Sequence, residues 1–196
     1  MAEIRFLDPL ESLIRKAARG ERAAAEALVR AVSPRLWRVA WRLSGGQRQL
    51  AEDAVQDALM QMWTQLPRWR TGEARLETWL HRVVTHRCFD RLRKLGRFVG
   101  EDEAPEPVDL SPAPDAGLLA ADTAAAVDAA LAALPDRQRA AIVLVHFEEL
   151  SGAEASQALG VSVEALESLL ARARRSLRQR LALATSETPQ ASEAAA

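Results

Sequence analysis

Apolar residues recur every three to four positions along most of this chain, which is the spacing of amphipathic helices. Gly and Pro punctuate the boundaries between most of these segments. Ser33 is expected to cap the third segment, with Pro34 at its first helical position. The pattern predicts an all-α protein, with helices near residues 9–19, 21–31, 34–43, 49–66, 76–95, 123–134, 136–148, 151–159 and 163–181.

The helix predicted at 49–66 has two distinct faces. One face is apolar, and the opposite face carries a set that we name the acidic stripe: Glu52, Asp53, Gln56 and Asp57. An exposed acidic stripe can dock a basic partner. Taken by itself, however, it is more typical of a solvated helix face than of a binding site.

Residues 97–116 interrupt the helical pattern. The stretch 99–114 contains four prolines and many acidic residues, so it cannot form a packed core and predicts a flexible acidic linker. This linker divides the chain into two small helical domains, 1–96 and 117–183, and the small polar residues 184–196 predict a disordered tail. The first domain holds 18 Lys and Arg against 11 Asp and Glu, so a chain net charge of −1 conceals a basic domain.

A helix-turn-helix pattern occupies residues 150–181. Gly160 can adopt the left-handed conformation that ends one helix, and the Ser162 hydroxyl can cap the next. The second helix ends in a cluster without any acid: Arg172, Arg174, Arg175, Arg178 and Arg180. An ordinary helical hairpin with a solvated basic end is the alternative. The Gly turn, the cap and the arginine cluster together favour DNA binding.

Arginine and tryptophan occur together in the loop predicted at 67–75. Trp69 lies between two arginines and is expected to be partly exposed, whereas the other four tryptophans fit apolar core positions. Aromatic and arginine side chains in one segment suit single-stranded DNA, whose unstacked bases can be gripped. The basic residues of this segment and of the helix that follows are Arg68, Arg70, Arg75, Arg82, Arg87, Arg91, Arg93 and Lys94.

Enzymatic and metal-binding chemistry is not expected, and the sequence implies no cofactor. His81 and His86 are five residues apart and so lie on different faces of a helix, and Cys88 continues an apolar series. No Gly-rich phosphate loop or nucleophile motif occurs. No apolar run is long enough to cross a membrane, and a single cysteine fits a reducing cytoplasm.

Four motifs in order give the chain a specific resemblance to a known family. They are Ala51-Glu52-Asp53-Ala54-Val55-Gln56-Asp57; Thr78-Trp79-Leu80 followed by Asp90-Arg91-Leu92-Arg93; Leu134-Pro135-Asp136-Arg137-Gln138-Arg139; and the helix-turn-helix through Arg172-Ala173-Arg174. In this order, around an acidic linker, the chain resembles a bacterial RNA polymerase sigma factor of the extracytoplasmic-function (ECF) type, in the sigma-70 family.

The resemblance implies a role for each domain. The first would bind core RNA polymerase, through the clamp helices of the β′ subunit, by Glu52, Asp53, Gln56 and Asp57. It would also capture and melt the −10 element with Arg68, Trp69, Arg70, Arg75, Arg82, His86, Arg87, Arg91 and Lys94. The second domain would dock on the β flap and read the −35 element with Ser162, Glu164, Ala165, Glu167, Ser168, Arg172, Arg174 and Arg175.

The resemblance also implies partners and a location. The linker would thread toward the polymerase active site, and an anti-sigma protein would hold the free factor, either in the cytoplasm or at the membrane. The chain itself would not insert into a membrane. Two alternatives stay open: a sigma-like decoy that binds an anti-sigma protein, and a helix-turn-helix transcriptional regulator with a helical sensor domain.

Overall fold

The structure is a computed structural model that describes residues 8–70, 75–96 and 120–186. Within these ranges the chain forms helices, turns and no β-strand, which confirms the all-α prediction. The helices are α1 (Glu11–Ala18), α2 (Arg22–Leu43), α3 (Arg48–Gln65), α4 (Leu76–Lys94), α5 (Ala120–Ala132), α6 (Asp136–Ile142), α7 (Gly152–Leu159) and α8 (Val163–Ser186). A 3-10 turn (Leu66–Arg68) follows α3, and a π-helical turn (Val143–Phe147) follows α6.

Helices α1 to α4 lie in the part of the chain predicted as the first domain, and α2, α3 and α4 pack on one another. Helix α3 buries a row of small residues, among them Ala51, Ala54 and Ala58, which are all 0% exposed. Small side chains let α3 approach its neighbours closely, because the distance between packed helices depends on the side chains at the contact. The opposite face of α3 is left at the surface, and this is the face that carries the acidic stripe.

Helix α2 runs without a break through Pro34, so the prediction of separate helices at 21–31 and 34–43 was wrong. Pro34 cannot donate the backbone hydrogen bond of an interior helical residue, and this weakens a helix. The apolar face nevertheless continues in register across it, since Val32 and Leu36 are each 1% exposed. Burial of that continuous apolar face stabilises an unbroken helix at the position where Pro34 favoured the start of a new helix.

Helices α5 to α8 lie in the part of the chain predicted as the second domain, where α8 packs on α5, α6 and α7. The turn between α7 and α8 confirms the predicted mechanism. Gly160 has φ 67° and ψ 37°, the left-handed conformation, and the backbone N–H of Ala165 donates to Ser162 Oγ at 3.2 Å.

Helix α8 ends at Ser186, five residues beyond the predicted end. The rest of the predicted tail, 187–196, lies outside the described residues.

The two domains pack against each other. Helix α7 contacts α4, and α2 contacts α5, α6 and the π-helical turn. The linker predicted at 97–116 lies outside the described residues. Sequence patterns predicted two domains but carried no signal for this contact, because it joins residues that are far apart in the chain.

Candidate functional sites

The acidic stripe lies on the exposed face of α3, and α4 holds part of it in place. Arg91 of α4 donates to Asp53 Oδ2 at 3.0 Å through Nη1 and to Asp57 Oδ2 at 2.7 Å through Nη2. The two aspartate side chains remain 44% and 42% exposed. Glu52 and Gln56 are exposed, and Glu52 accepts from Arg48 Nε at 2.8 Å. The stripe is therefore a preorganised acidic surface, and Arg91, predicted for the −10 surface, is engaged there.

An apolar groove borders the acidic stripe between α2 and α3. Its volume is about 270 Å³, and it is lined by Trp37, Glu52, Val55, Gln56, Leu59, Met60 and Trp63. Met60 is 62% exposed at its edge. The sequence assigned Trp37 and Trp63 to the core and so missed this groove. A methionine on the polar face of an amphipathic helix was the available signal, since exposed Met is common at adaptable binding surfaces.

The basic surface lies around the start and the outer face of α4. Arg68, Arg70, Arg75, Arg82, His86 and Lys94 are exposed, whereas Arg87 is partly buried and donates to Gln61 Oε1 at 3.2 Å. Burial and the neighbouring Arg82 lower the pKa of His86, so its neutral form is favoured. Residues 71–74 of the loop lie outside the described residues.

Trp69 is partly buried at the edge of this basic surface. Its ring packs edge-to-face on Trp79, with ring centroids 5.7 Å apart and an interplanar angle of 71°. The indole Nε1 is buried and has no hydrogen-bond partner. A buried donor without an acceptor is unusual for an indole. Packing on the ring of Trp79 therefore holds Trp69 in place, and the N–H group of its indole makes no hydrogen bond.

The residues predicted to read the −35 element all lie on the exposed half of α8 or at its cap, Ser162. Ser162, Glu164, Ala165, Glu167, Ser168, Arg172, Arg174 and Arg175 are exposed. The inner face buries Leu166, Leu169 and Ala173 against the rest of the domain. Hydrogen bonds from its own backbone N–H and from the Ser162 hydroxyl lower the pKa of Glu164, which keeps its carboxylate charged at the start of α8.

The arginines of α8 divide between two sides of the helix. At 100° per residue, Arg172 and Arg174 point about 160° apart, so they cannot serve the same phosphate group. Arg174 Nη2 lies 3.2 Å from His146 Nε2, at the end of the π-helical turn. Sequence reasoning left His146 without a role, because it stands alone in the chain. The structure places it beside the arginine cluster.

No metal site is visible in the described part of the chain, where no group of three His, Cys, Asp or Glu side chains could hold an ion. Cys88 is fully buried, and burial raises the pKa of its thiol to about 12. This places Cys88 in the core, as predicted. Among the described helices, none is long and apolar enough to span a bilayer.

Comparison with known families and proteins agrees with this arrangement. Residues 28–98 match sigma-70 region 2, and residues 124–177 match sigma-70 region 4. The ECF RNA polymerase sigma factor SigE of Mycolicibacterium smegmatis is 36% identical over 184 residues, which cover 88% of this chain and 68% of that protein. SigM of Mycobacterium tuberculosis, also an ECF RNA polymerase sigma factor, is 37% identical over 155 residues, covering 79% of this chain and 76% of SigM.

Two solved structures resemble the fold. The sigma factor RpoE in complex with the anti-sigma factor NepR from Bartonella quintana has a TM-score of 0.61 and 29% identity, covering 81% of this chain and 96% of RpoE. CnrH in complex with the cytosolic domain of CnrY has a TM-score of 0.63 and 27% identity, covering 92% of this chain and 100% of CnrH. The chain therefore belongs to the ECF group of RNA polymerase sigma factors in the sigma-70 family.

Proposed function

We propose that this protein is a promoter-specificity subunit of a bacterial RNA polymerase. It binds the core enzyme, recognises −35 DNA and melts −10 DNA, while the chemistry of RNA synthesis stays with the polymerase. One observation carries the proposal. A single sigma-family chain presents an acidic surface on α3, a basic surface on α4 and an exposed reading face on α8.

The acidic stripe on α3 is the proposed contact for the clamp helices of the β′ subunit. Arg91 neutralises part of Asp53 and Asp57 and also orients them. Glu52 and Gln56 complete an exposed polar row beside an apolar groove. Apolar contact next to complementary charge is the usual composition of an interface. The second domain would dock on the β flap.

The basic surface and the reading helix are the proposed DNA contacts. Exposed arginines around Trp69 suit the −10 element, because a melted strand offers unstacked bases and phosphates together. On α8, the stretch 162–168 would face base edges in the major groove. The arginines that follow would contact phosphates, which position a protein on DNA and carry no sequence information.

We also propose that an anti-sigma protein controls this factor. RpoE, which resembles this chain over 81% of its length, was solved in complex with the anti-sigma factor NepR, and CnrH, which resembles it over 92%, was solved in complex with the cytosolic domain of CnrY. We infer a cytoplasmic location, since the polymerase and promoter DNA are there. Release from the anti-sigma protein would then free the acidic and basic surfaces for polymerase and DNA.

Transcription in vitro with purified core polymerase tests the function, and a charge swap tests the acidic stripe. Asp57→Arg should abolish core binding, and it also places a second guanidinium beside Arg91. The double variant Asp57→Arg/Arg91→Asp restores an ion pair, so its stability should recover while core binding does not, because the carboxylate has moved to α4. Glu26→Arg, an exposed acid on α2, is the matched control.

Two outcomes would contradict these assignments. Core affinity unchanged in Asp57→Arg would reject the clamp assignment. A wild-type chain that binds an anti-sigma protein but not core would instead indicate the decoy.

The proposed contact between α8 and −35 DNA has a separate test. The double variant Arg174→Ala/Arg175→Ala should weaken binding to many DNA sequences by a similar factor. It should also reduce the slope of log affinity against log salt concentration by about one for each phosphate contact that is lost. Titrations at several salt concentrations, with matched and scrambled −35 duplexes, measure both effects. A weakening confined to the matched duplex would mean that these arginines read bases.

A further inference from the structure

One buried carboxylate joins the starts of α1 and α4. It belongs to Asp8, which precedes α1 in the chain and is 7% exposed. Its Oδ1 accepts the backbone N–H of Leu10 at 2.9 Å, and its Oδ2 accepts the backbone N–H of Leu76 at 2.8 Å. The second bond crosses 68 residues of chain. Asp8 therefore fixes the first residue of α4 relative to α1.

Helix α4 is capped from a distant part of the chain. Within the described residues, Arg75 at its N-cap position makes no side-chain hydrogen bond to the first turn. Helices α7 and α8, by contrast, are capped by the neighbouring serines Ser151 and Ser162. The first N–H groups of a helix lack partners inside it, and the helix dipole favours a negative charge at that end. Asp8 supplies both an acceptor oxygen and a charge to α4.

The same N-terminal segment also contacts the turn that follows α3. Helix α1 packs on the 3-10 turn Leu66–Arg68, in which Leu66 is 3% exposed. Further along the chain, Asp8 holds the backbone again at Leu76. The N-terminal segment therefore holds the chain at both ends of the loop predicted at 67–75.

Three exposed arginines of the basic surface lie close to these two anchor points. Arg68 ends the 3-10 turn, Arg70 follows it, and Arg75 directly precedes Leu76. Attraction to phosphates depends mainly on charge and tolerates small shifts, whereas hydrogen bonds to base edges require a defined length and angle. A change in the relative position of the anchors should therefore affect base recognition more than overall attraction to DNA.

We propose that Asp8 is a positioning residue for recognition of the −10 element. It does not touch DNA itself, because its carboxylate is buried and both oxygens accept backbone N–H groups. It holds the start of α4 and, with α1, sets the geometry in which Arg68 and Arg75 meet the melted strand. This role rests on the proposed function, since it concerns the selectivity of the −10 contact. The hydrogen bond from Leu76 can be measured in the free protein.

Selection from a DNA library tests the positioning role. The probe is a fork-junction DNA in which the −10 positions of the unpaired strand are randomised, and the strands bound by core polymerase with this chain are sequenced. The wild-type chain should enrich particular bases. Asp8→Ala should reduce enrichment at the most selective position by about tenfold, since a mismatched base typically weakens a specific site by about that factor or more. A role in stability alone would lower the amount of active complex and leave the relative enrichment of bases unchanged.

Ser44→Ala is the matched control. Ser44 is 1% exposed and its Oγ donates to the carbonyl oxygen of Trp41 at 3.0 Å, so this variant also loses a buried hydrogen bond. It lies in the turn before α3, an 18-residue helix that is about 27 Å long and ends at the 3-10 turn. Base enrichment in Ser44→Ala should equal that of the wild type. Equal enrichment in Asp8→Ala and the wild type, or an equal loss in Ser44→Ala, would overturn the proposal.

A conservative variant keeps the test usable if Asp8→Ala melts below the assay temperature. Asp8→Asn retains the shape of the side chain but offers one acceptor oxygen in place of two. Its enrichment should fall between those of the wild type and Asp8→Ala. Wild-type enrichment in Asp8→Asn together with loss of Leu76 protection would show that the cap has no part in base recognition.

Hydrogen exchange tests the cap in the free protein. The backbone N–H of Leu76, followed by NMR, should exchange about tenfold faster or more in Asp8→Ala, because the variant removes its acceptor. The backbone N–H of Ala54, in the buried face of α3, should keep its protection and shows that the helices remain packed. Equal exchange of Leu76 in the two proteins would overturn the cap and the proposal with it.

Failure of the positioning role and failure of the sigma function are distinguishable. A wild-type chain that enriches no base at −10 with core polymerase would contradict the proposed function, and the role of Asp8 in recognition would fall with it. Enrichment by the wild type that persists unchanged in Asp8→Ala would leave the proposed function intact and reject the role of Asp8 alone.

Discussion

Replacing Arg91 with alanine separates two roles that the sequence could not tell apart. Arg91 belongs to the basic set predicted for −10 DNA, but in the structure its guanidinium bridges Asp53 and Asp57. If the bridge is its main role, Arg91→Ala should weaken core binding, because the two carboxylates lose the group that orients them. DNA binding should keep its salt dependence.

The magnitude follows from the exposure of the three side chains. Arg91 is 30% exposed, and the aspartates are 44% and 42% exposed. Exposed ion pairs contribute about 0.2–1 kcal/mol each, and charged hydrogen bonds contribute more when they are buried. After this discount for solvent screening, Arg91→Ala should lower the free energy of unfolding by about 1–2 kcal/mol. In a domain of about 100 residues, where each 1 kcal/mol shifts the melting temperature by roughly 4–8 °C, the melting temperature should fall by roughly 4–16 °C.

Two assays and one control decide the question. Calorimetric melting gives the stability change, and pulldown of core polymerase gives the change in affinity. Salt titrations with a −10 single strand give the number of phosphate contacts, for which Arg82→Ala is the comparison because Arg82 is exposed on the same helix. Arg82→Ala should reduce the salt slope by about one, and Arg91→Ala should not. A reduced slope in Arg91→Ala with unchanged core affinity would refute the bridging role.

Three further predictions follow from local geometry. Ser162→Ala removes the cap of α8 and should lower stability by about 1 kcal/mol and weaken −35 binding, as measured by melting and by titration with duplex DNA. Glu149→Gly should raise the melting temperature slightly, because Glu149 has a φ of 55° that costs a non-glycine residue about 1 kcal/mol. Cys88 should resist iodoacetamide at pH 8 until the protein unfolds. Because burial raises its pKa to about 12, its contribution to stability should be full at neutral pH and decline as alkaline pH approaches that value.

Much of the fold could be predicted from the sequence because it depends on near neighbours. The turn at Gly160 requires one left-handed residue, and the cap at Ser162 joins groups three residues apart. The buried faces of the long helices follow from helical spacing alone. The candidate surfaces on α3 and α8 were located for the same reason, since the exposed face of an amphipathic helix is defined by the apolar face opposite it.

Other features could not be predicted because they depend on groups distant in the chain. Pro34 carries a helix-start signal, and only packing of the face that includes Val32 and Leu36 keeps α2 continuous. Arg91 is basic and lies in a basic segment, so the sequence around it indicated a contact with DNA. Its partners Asp53 and Asp57 are 38 and 34 residues away.

The sequence by itself determined the helices, the turn that presents α8 and the family to which the chain belongs. These rest on short-range periodicity, on the backbone preferences of single residues and on motifs in order. Only the tertiary structure decided that Arg91 orients the acidic stripe and that Arg139 reaches the carbonyl of Leu43. The physical reason is that a charge buried at a domain interface is stabilised by whichever groups folding brings to it, and sequence spacing does not specify those groups.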